Sequence, residues 1–201
     1  MTASSSPLPN WGEGQPATSA GRGEGRLDIT LKFLTTTLKN HSDAPHLDAQ
    51  RILLHVLKQR EPSYLLAHSD KQLTPEQLSE ITRMQDARKT GMPLAYILGT
   101  ADFYGRTFIV TPDVLIPRPD TEILIEKALE YIARHPGPRA GIHGDMSGFR
   151  VKPGMTIADI GTGSGCIAIT LALELKEKHR IIATDISEAA LAIAKQNAAI
   201  H

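Results

Sequence analysis

The stretch from Thr156 to Asp185, TIADIGTGSGCIAITLALELKEKHRIIATD, limits what this chain can fold into more than any other segment. It reads as a strand, a glycine-rich turn, a helix and a second strand ending on an acid, which is the opening unit of a doubly wound α/β sheet. Ile157, Ala158 and Ile160 form the apolar run expected of a parallel strand buried on both faces. Gly161, Gly163 and Gly165 let the backbone bend sharply and leave no Cβ where a ligand must approach. The next helix, expected from Cys166 to about Lys178, is apolar almost all round, as a helix packed on a sheet would be. Ile181 to Thr184 then deliver Asp185 at the carboxyl end of a strand, where such sheets place ligands and a carboxylate accepts hydrogen bonds from ribose hydroxyls. The spacing is GxGxG and not the GxGxxG of nicotinamide enzymes, while the interval to Asp185 is close to the ~20 residues expected in either. Glycines alone would fit a plain tight turn; strand, turn, helix, strand and acid in that order point to an adenosine-containing cofactor. Asp159, at the end of a buried strand, needs a polar partner there.

Composition narrows the class. The 22 basic and 22 acidic residues balance, which leaves no electrostatic footprint for nonspecific nucleic-acid binding. Cys166 is the single cysteine, so an intramolecular disulfide and a cysteine-based zinc cluster are both excluded, and a cytoplasmic protein is expected. Its place at the start of an apolar helix suits a small buried residue better than a reactive thiol. No apolar run approaches the ~18 residues of a membrane span. The Ser-, Pro- and Gly-rich start lacks both periodicity and the apolar core of a secretory signal, and reads as a disordered tail.

From about Leu27 to Thr90 the pattern is helical. Ile29, Phe33 and Leu34 begin one amphipathic stretch; Leu47, Ile52, Leu53, Val56 and Leu57 make a second; Tyr64, Leu65 and Leu66 a short third. A fourth helix has the clearest start signal: Thr74 as cap, Pro75 at the first helical position and Gln77 to complete a capping box. Leu78, Ile81 and Met84 line its expected face, before Gly91 and Pro93 end it. His41, His46, His55 and His68 are too scattered for metal ligation, and no metal site is expected.

Tyr96, Ile97 and Leu98, then Phe108 and Val110 around a turn near Gly105, suggest a hairpin. LIPRPDTE follows at Leu115 to Glu122, where Pro117 and Pro119 fix an extended backbone ahead of a helix that Asp120 or Thr121 can cap. Leu124, Ile125, Ala128, Leu129 and Ile132 give that helix its expected buried face. On residue chemistry alone Arg118 is a solvated charge and Thr121 a cap. His135 to Gly154 reads as a surface insertion longer than a compact connection needs. A last helix, from Ser187 as cap to about Ala199, should turn Leu191, Ala194 and Ala198 inward.

Five segments together resemble one family: DAQRILLHVL at Asp48 to Leu57, PLAYILG at Pro93 to Gly99, FYGRTFIVTPDVLIPRPDTEILIE at Phe103 to Glu126, ADIGTGSGCIAI at Ala158 to Ile169 and ATDIS at Ala183 to Ser187. They are similar to the protein-(glutamine) N-methyltransferases that modify peptide-chain release factors, enzymes with a class I S-adenosylmethionine-dependent (Rossmann-like) domain. The resemblance covers roughly residues 27–201 and implies, after the disordered tail over 1–26, a helical substrate-recognition domain over 27–92, a β-hairpin linker over 93–118 and the N-terminal part of the methyltransferase domain over 119–201. It implies S-adenosylmethionine as cofactor, held by Gly161, Thr162, Gly163, Ser164, Gly165 and Asp185. It implies release factors as partners, bound by a monomer without direct contact to nucleic acid or membrane. It also brings Leu115, Arg118 and Thr121 to the substrate pocket, near the glutamine amide of the factor's GGQ loop.

An amide nitrogen is a poor nucleophile because its lone pair is delocalised into the carbonyl. In the family an NPPY motif holds that amide through its Asn side chain and an adjacent carbonyl. These 201 residues contain no NPPY, so no catalytic residue is assigned within them. The chain reads as roughly the N-terminal two-thirds of such an enzyme, inactive alone, with the last helix and the edge of the second strand having nothing to bury against. Two other readings stay open: an adenine N-methyltransferase acting on nucleic acid, disfavoured by the neutral charge, and a noncatalytic fragment that binds release factors.

Overall fold

A computed structural model describes residues 25–134, 155–176 and 179–201. The expected N-terminal tail, apart from Gly25 and Arg26, and the loop from His135 to Gly154 lie outside those residues. Two compact units divide the chain, one ending at Ile97 and the other running from Leu98 to His201.

The first unit is helical: α1 Leu27–Leu38, α2 Pro45–Val56, α3 Ser63–Ala67 and α4 Pro75–Lys89. The apolar stripe of α1 differs from the one expected. Leu27, Thr30, Leu34 and Leu38 are buried, whereas Ile29 and Phe33 face outward, Phe33 at 61% exposure. Leu27, Leu34 and Leu38 satisfy the helical spacing on one side, and α2 and α4 pack against that side. In α2 the core side chains are Ala49, Ile52, Leu53 and Leu54, with Leu57 just beyond the helix; Leu47 is exposed. Asp48 is buried beside them, and its Oδ2 accepts a hydrogen bond from Arg88 Nε of α4 at 2.8 Å. Arg88 also donates through Nη1 to the Met92 carbonyl at 3.2 Å, which fastens the chain just past α4. The capping box forms as expected: Gln77 N donates to Thr74 Oγ1 at 3.3 Å, and Thr74 N donates to Gln77 Oε1 at 2.9 Å. Gly91, at φ +89°, takes the left-handed position after α4 that its lack of a Cβ permits.

Tyr96 to Leu98 belong to a short helix, α5 Leu94–Leu98, and not to a strand. An apolar triplet cannot by itself separate the two. The hairpin begins later, with β1 Thr100–Phe103 antiparallel to β2 Arg106–Ile109. Its two-residue turn, Tyr104 at φ +51° and Gly105 at φ +71°, has the doubly positive φ that suits the strand twist. Tyr104 is held in this unfavourable conformation from outside the hairpin: its N–H donates to Glu122 Oε1 at 2.8 Å. The glutamate of the PRPDTE segment is therefore a fastening to the hairpin. Arg106, on the other side of the turn, donates to the Tyr104 carbonyl at 3.1 Å and to Glu174 Oε1 at 2.7 Å.

Helix α6, Asp120–Arg134, contains both Asp120 and Thr121 instead of starting after either. Ile125 and Ile132 are its buried residues; Leu124, expected inside, is exposed. Ile125 packs with Phe103, Phe108, Cys166 and Leu171 in one cluster that joins hairpin, α6 and α7. The parallel pair is β3 Met155–Ile160 and β4 His179–Thr184, in register from Ile157↔Ile181 to Ile160↔Thr184, with α7 Cys166–Leu175 between them in sequence. Burial of β3 on both faces is not observed among the described residues. Ile157 packs against the cluster, but Ala158 is exposed and Ile160 is 85% exposed. Among the described residues the neighbouring layer is α7, on one side of the pair, so alternate side chains divide between core and surface.

The last helix, α8 Glu188–Ile200, is capped by Ser187 Oγ, which accepts from Ala190 N at 3.2 Å. Its buried face is Ala190, Ile193, Ala194 and Asn197; Ala198 is exposed. The expectation that this face would lack a partner is corrected. It lies against α7 and β2.

Candidate methyl-donor site

Three glycines shape the turn after β3, and they do different work. Gly161, Gly163 and Gly165 have φ of +78°, +55° and +82°, so each occupies a conformation that L side chains rarely adopt. A Cβ at Gly161 or Gly163 would meet nothing within 4 Å. A Cβ at Gly165 would lie 3.0 Å from Ile169 Cδ1 and 3.2 Å from Ala194 Cβ. Gly165 thus serves the packing of α7 on α8, while Gly161 and Gly163 border the open side of the loop.

The sequence positions Asp185 opposite this loop, and the structure brings them together. Gly163 N donates to Asp185 Oδ2 at 2.9 Å, and Ser187 N donates to Asp185 Oδ1 at 2.9 Å. These backbone donors, Ser187 first and Gly163 second, hold the Asp185 carboxyl below its ordinary range, so it is ionised at neutral pH. Each oxygen keeps a second lone pair for a ligand hydroxyl. Asp159 also finds the partner its position required: Thr162 Oγ1 donates to Asp159 Oδ2 at 2.7 Å. Gly161 N and Thr162 N donate to the Thr184 carbonyl at 2.8 and 2.9 Å, and Gly165 N to the Thr162 carbonyl at 2.8 Å. Burial pushes the Cys166 thiol upward, away from a reactive thiolate.

The chemical consequence is specific. A pyrophosphate-binding loop offers free N–H groups to an anion. Here the amides of Gly161, Thr162, Gly163 and Gly165 all donate within the protein, and the Asp159 and Asp185 carboxylates stand at the loop. The surface suits a ligand with ribose hydroxyls and positive charge far better than one with phosphates. The residues present therefore fit S-adenosylmethionine.

Leu115, Arg118 and Thr121 are not joined to this loop by any hydrogen bond among the described residues. Leu115 is 72% exposed, Arg118 is exposed and Thr121 is half-buried, its N–H donating to the Arg118 carbonyl at 3.0 Å. Two residues that matter to the architecture escaped the sequence reading: Glu122, which holds Tyr104 N, and Asn197, which bonds to both Ile109 and Ser164. A polar residue on the apolar side of α8 was the available signal for Asn197. Among the described residues no group of His, Cys, Asp and Glu is arranged to hold a metal ion, and no helix is long and apolar enough to cross a membrane.

Comparison with known proteins matches both units. Residues 30–99 match the PrmC N-terminal domain, and residues 151–201 match a methyltransferase domain. The chain is 39% identical over 154 residues to the release factor glutamine methyltransferase of Bordetella pertussis, covering 77% of this chain and 50% of that protein. It is 41% identical over 182 residues to the enzyme of the same name from Chlorobaculum tepidum, covering 89% and 57% respectively. A bifunctional methyltransferase of Rickettsia bellii is 42% identical over 166 residues, covering 78% of this chain and 30% of that protein. The chain spans about half the length of the release factor methyltransferases it matches. With a helical unit matching one domain, a glycine loop and acid matching the other, and relatives of one name matching most of its own length, the chain is similar to the release factor glutamine methyltransferases.

Proposed function

We propose that this chain supplies the methyl-donor side and the factor-binding domain of an enzyme that methylates the GGQ-loop glutamine amide of peptide chain release factors, with S-adenosylmethionine as donor. The observation that carries the donor half is the loop itself: the amides of Gly161, Thr162, Gly163 and Gly165 donate within the protein, two carboxylates stand beside it, and its open side is bordered by glycines without side chains. Asp185 takes the ribose hydroxyls, Gly161 to Gly165 face the methionine portion, and the carboxylates favour the positive sulfonium. When bound, the cofactor supplies a methyl group activated by that sulfonium. Leu115, Arg118 and Thr121 border the pocket for the acceptor amide, on the segment that Glu122 fastens to the hairpin. The names of the relatives support the acceptor half, and residues 27–92 take the factor. The protein works as a cytoplasmic monomer without direct nucleic-acid contact, in keeping with its balanced charge.

Labelled S-adenosylmethionine, offered with a release factor, a GGQ peptide or duplex DNA in separate arms, tests the assignment. Label is expected on the factor's glutamine with a form of the protein that carries NPPY, none with the 201 residues alone, and none on DNA. Transfer to DNA with the factor unlabelled overturns the proposal.

A further inference from the structure

The side-chain amide of Asn197, wholly buried on α8, makes three hydrogen bonds to two segments that are distant in sequence. Its Oδ1 accepts from Ile109 N at 2.7 Å, and its Nδ2 donates to the Ile109 carbonyl at 3.0 Å and to the Ser164 carbonyl at 2.8 Å. Toward Ile109 the carboxamide behaves as one residue of an additional strand, satisfying both backbone groups at the end of β2. Toward the glycine loop it fixes the carbonyl of Ser164, which stands between Gly163 and Gly165, both at positive φ. A loop with such glycines has many alternatives in the absence of an anchor. Ile109 in turn leads directly through Val110 into the segment that carries Leu115 and Arg118.

We infer that Asn197 is a positioning residue that holds the glycine loop in register with the end of β2, and so with the start of the LIPRPDTE segment. Its functional half rests on the reading of residues 161–165 as the donor loop; its structural half does not. Leucine would leave the Ile109 and Ser164 groups without partners, and aspartate could accept from Ile109 N but would turn its second oxygen toward two carbonyls.

Hydrogen exchange of backbone amides tests the inference in Asn197→Ala. The informative amides are those of Gly163 and Gly165, which donate to Asp185 and Thr162 and make no bond to Asn197. They should exchange about tenfold faster than in the wild type, while amides of α6 are unchanged, since one lost anchoring bond is worth roughly a factor of ten. Loop amides that keep their wild-type rates, or a uniform acceleration that includes α6, overturn the inference. Should the variant not fold, native-state exchange of the wild type in low denaturant decides instead. Ile109, Gly163 and Gly165 opening with one denaturant slope supports the anchor, and loop amides opening by small fluctuations while Ile109 stays closed overturns it. Calorimetry with S-adenosylhomocysteine separates the two halves. About tenfold weaker binding by the variant is expected, and equal affinity with a loosened loop refutes the functional half. A wild type that does not bind at all removes the donor-loop reading and leaves exchange to judge the anchor.

Discussion

Replacing each glycine of the loop by alanine separates packing from ligand access. Both Gly161 and Gly165 lie at positive φ, +78° and +82°, so alanine at either carries a left-handed strain of about 1–2 kcal/mol. Alanine also restricts the unfolded chain, which returns about 0.4–1 kcal/mol. At Gly161 nothing else is added, because the new Cβ meets no atom within 4 Å. The net loss of stability is therefore about 1 kcal/mol. At Gly165 the new Cβ would also stand 3.0 Å from Ile169 Cδ1 and 3.3 Å from Ala194 Cα. The isoleucine tip can rotate away, but the Ala194 backbone moves only with α8, so about 1–3 kcal/mol of overpacking is added. Gly165→Ala should thus lose about 2–4 kcal/mol in urea unfolding and Gly161→Ala about 1 kcal/mol. The order reverses for ligand. Gly161→Ala and Gly163→Ala place a methyl on the open side of the loop, and should weaken S-adenosylhomocysteine binding in calorimetry by at least about tenfold while the fold persists. Equal stability losses at Gly161 and Gly165, or unchanged affinity in both Gly161→Ala and Gly163→Ala, would refute the reasoning.

Three further outcomes are expected. Thr74→Ala removes the hydroxyl half of the capping box and should lower the stability of the helical unit by about 1 kcal/mol, read from its urea midpoint. Arg88→Met leaves the buried Asp48 carboxylate without its partner and should cost about 2–3 kcal/mol, less than a fully buried pair because both side chains keep some exposure. Adding Asp48→Asn should restore part of that loss, and no restoration would count against a paired role. Asp185 has a folded-state pKa depressed below its ordinary 3.8, so its contribution is complete above that pH and is lost as pH falls through the depressed value. Affinity for S-adenosylhomocysteine should be flat between pH 8 and 5 so far as this group is concerned, and fall below about pH 4; a fall centred near pH 6 would assign the titration to another group.

The parts of this molecule that the sequence made legible are those with short-range causes. Thr74, Pro75 and Gln77 specify a helix start among themselves, and the capping box forms as read. Gly161 to Gly165 and Asp185 are set by one strand–turn–helix–strand unit, so their meeting follows from local order. What escaped depends on neighbours. Ile29 and Phe33 are as apolar as Leu27 and Leu38, and only the placement of α2 and α4 decides which stripe of α1 is covered. Tyr96 to Leu98 carry no period that separates a helical turn from a strand. The exposed face of β3 could not be foreseen, since a continuous apolar run signals two covering layers and only one is present among the described residues. Asn197 stood out only as a polar residue on the apolar side of α8, and Glu122 not at all. Their partners are the backbone groups of Ile109, Ser164 and Tyr104, which no residue-type pattern reveals.

Residues 161–165 and Asp185 are proposed to hold the S-adenosyl donor. Amide chemical shifts recorded during titration with S-adenosylhomocysteine test this assignment most directly. Saturable shifts are expected, centred on Gly161, Gly163, Gly165 and the Asp185–Ser187 segment, with the α1 to α4 helices unmoved. Absence of saturable binding, or shifts centred on the helical unit with the loop unchanged, would contradict it.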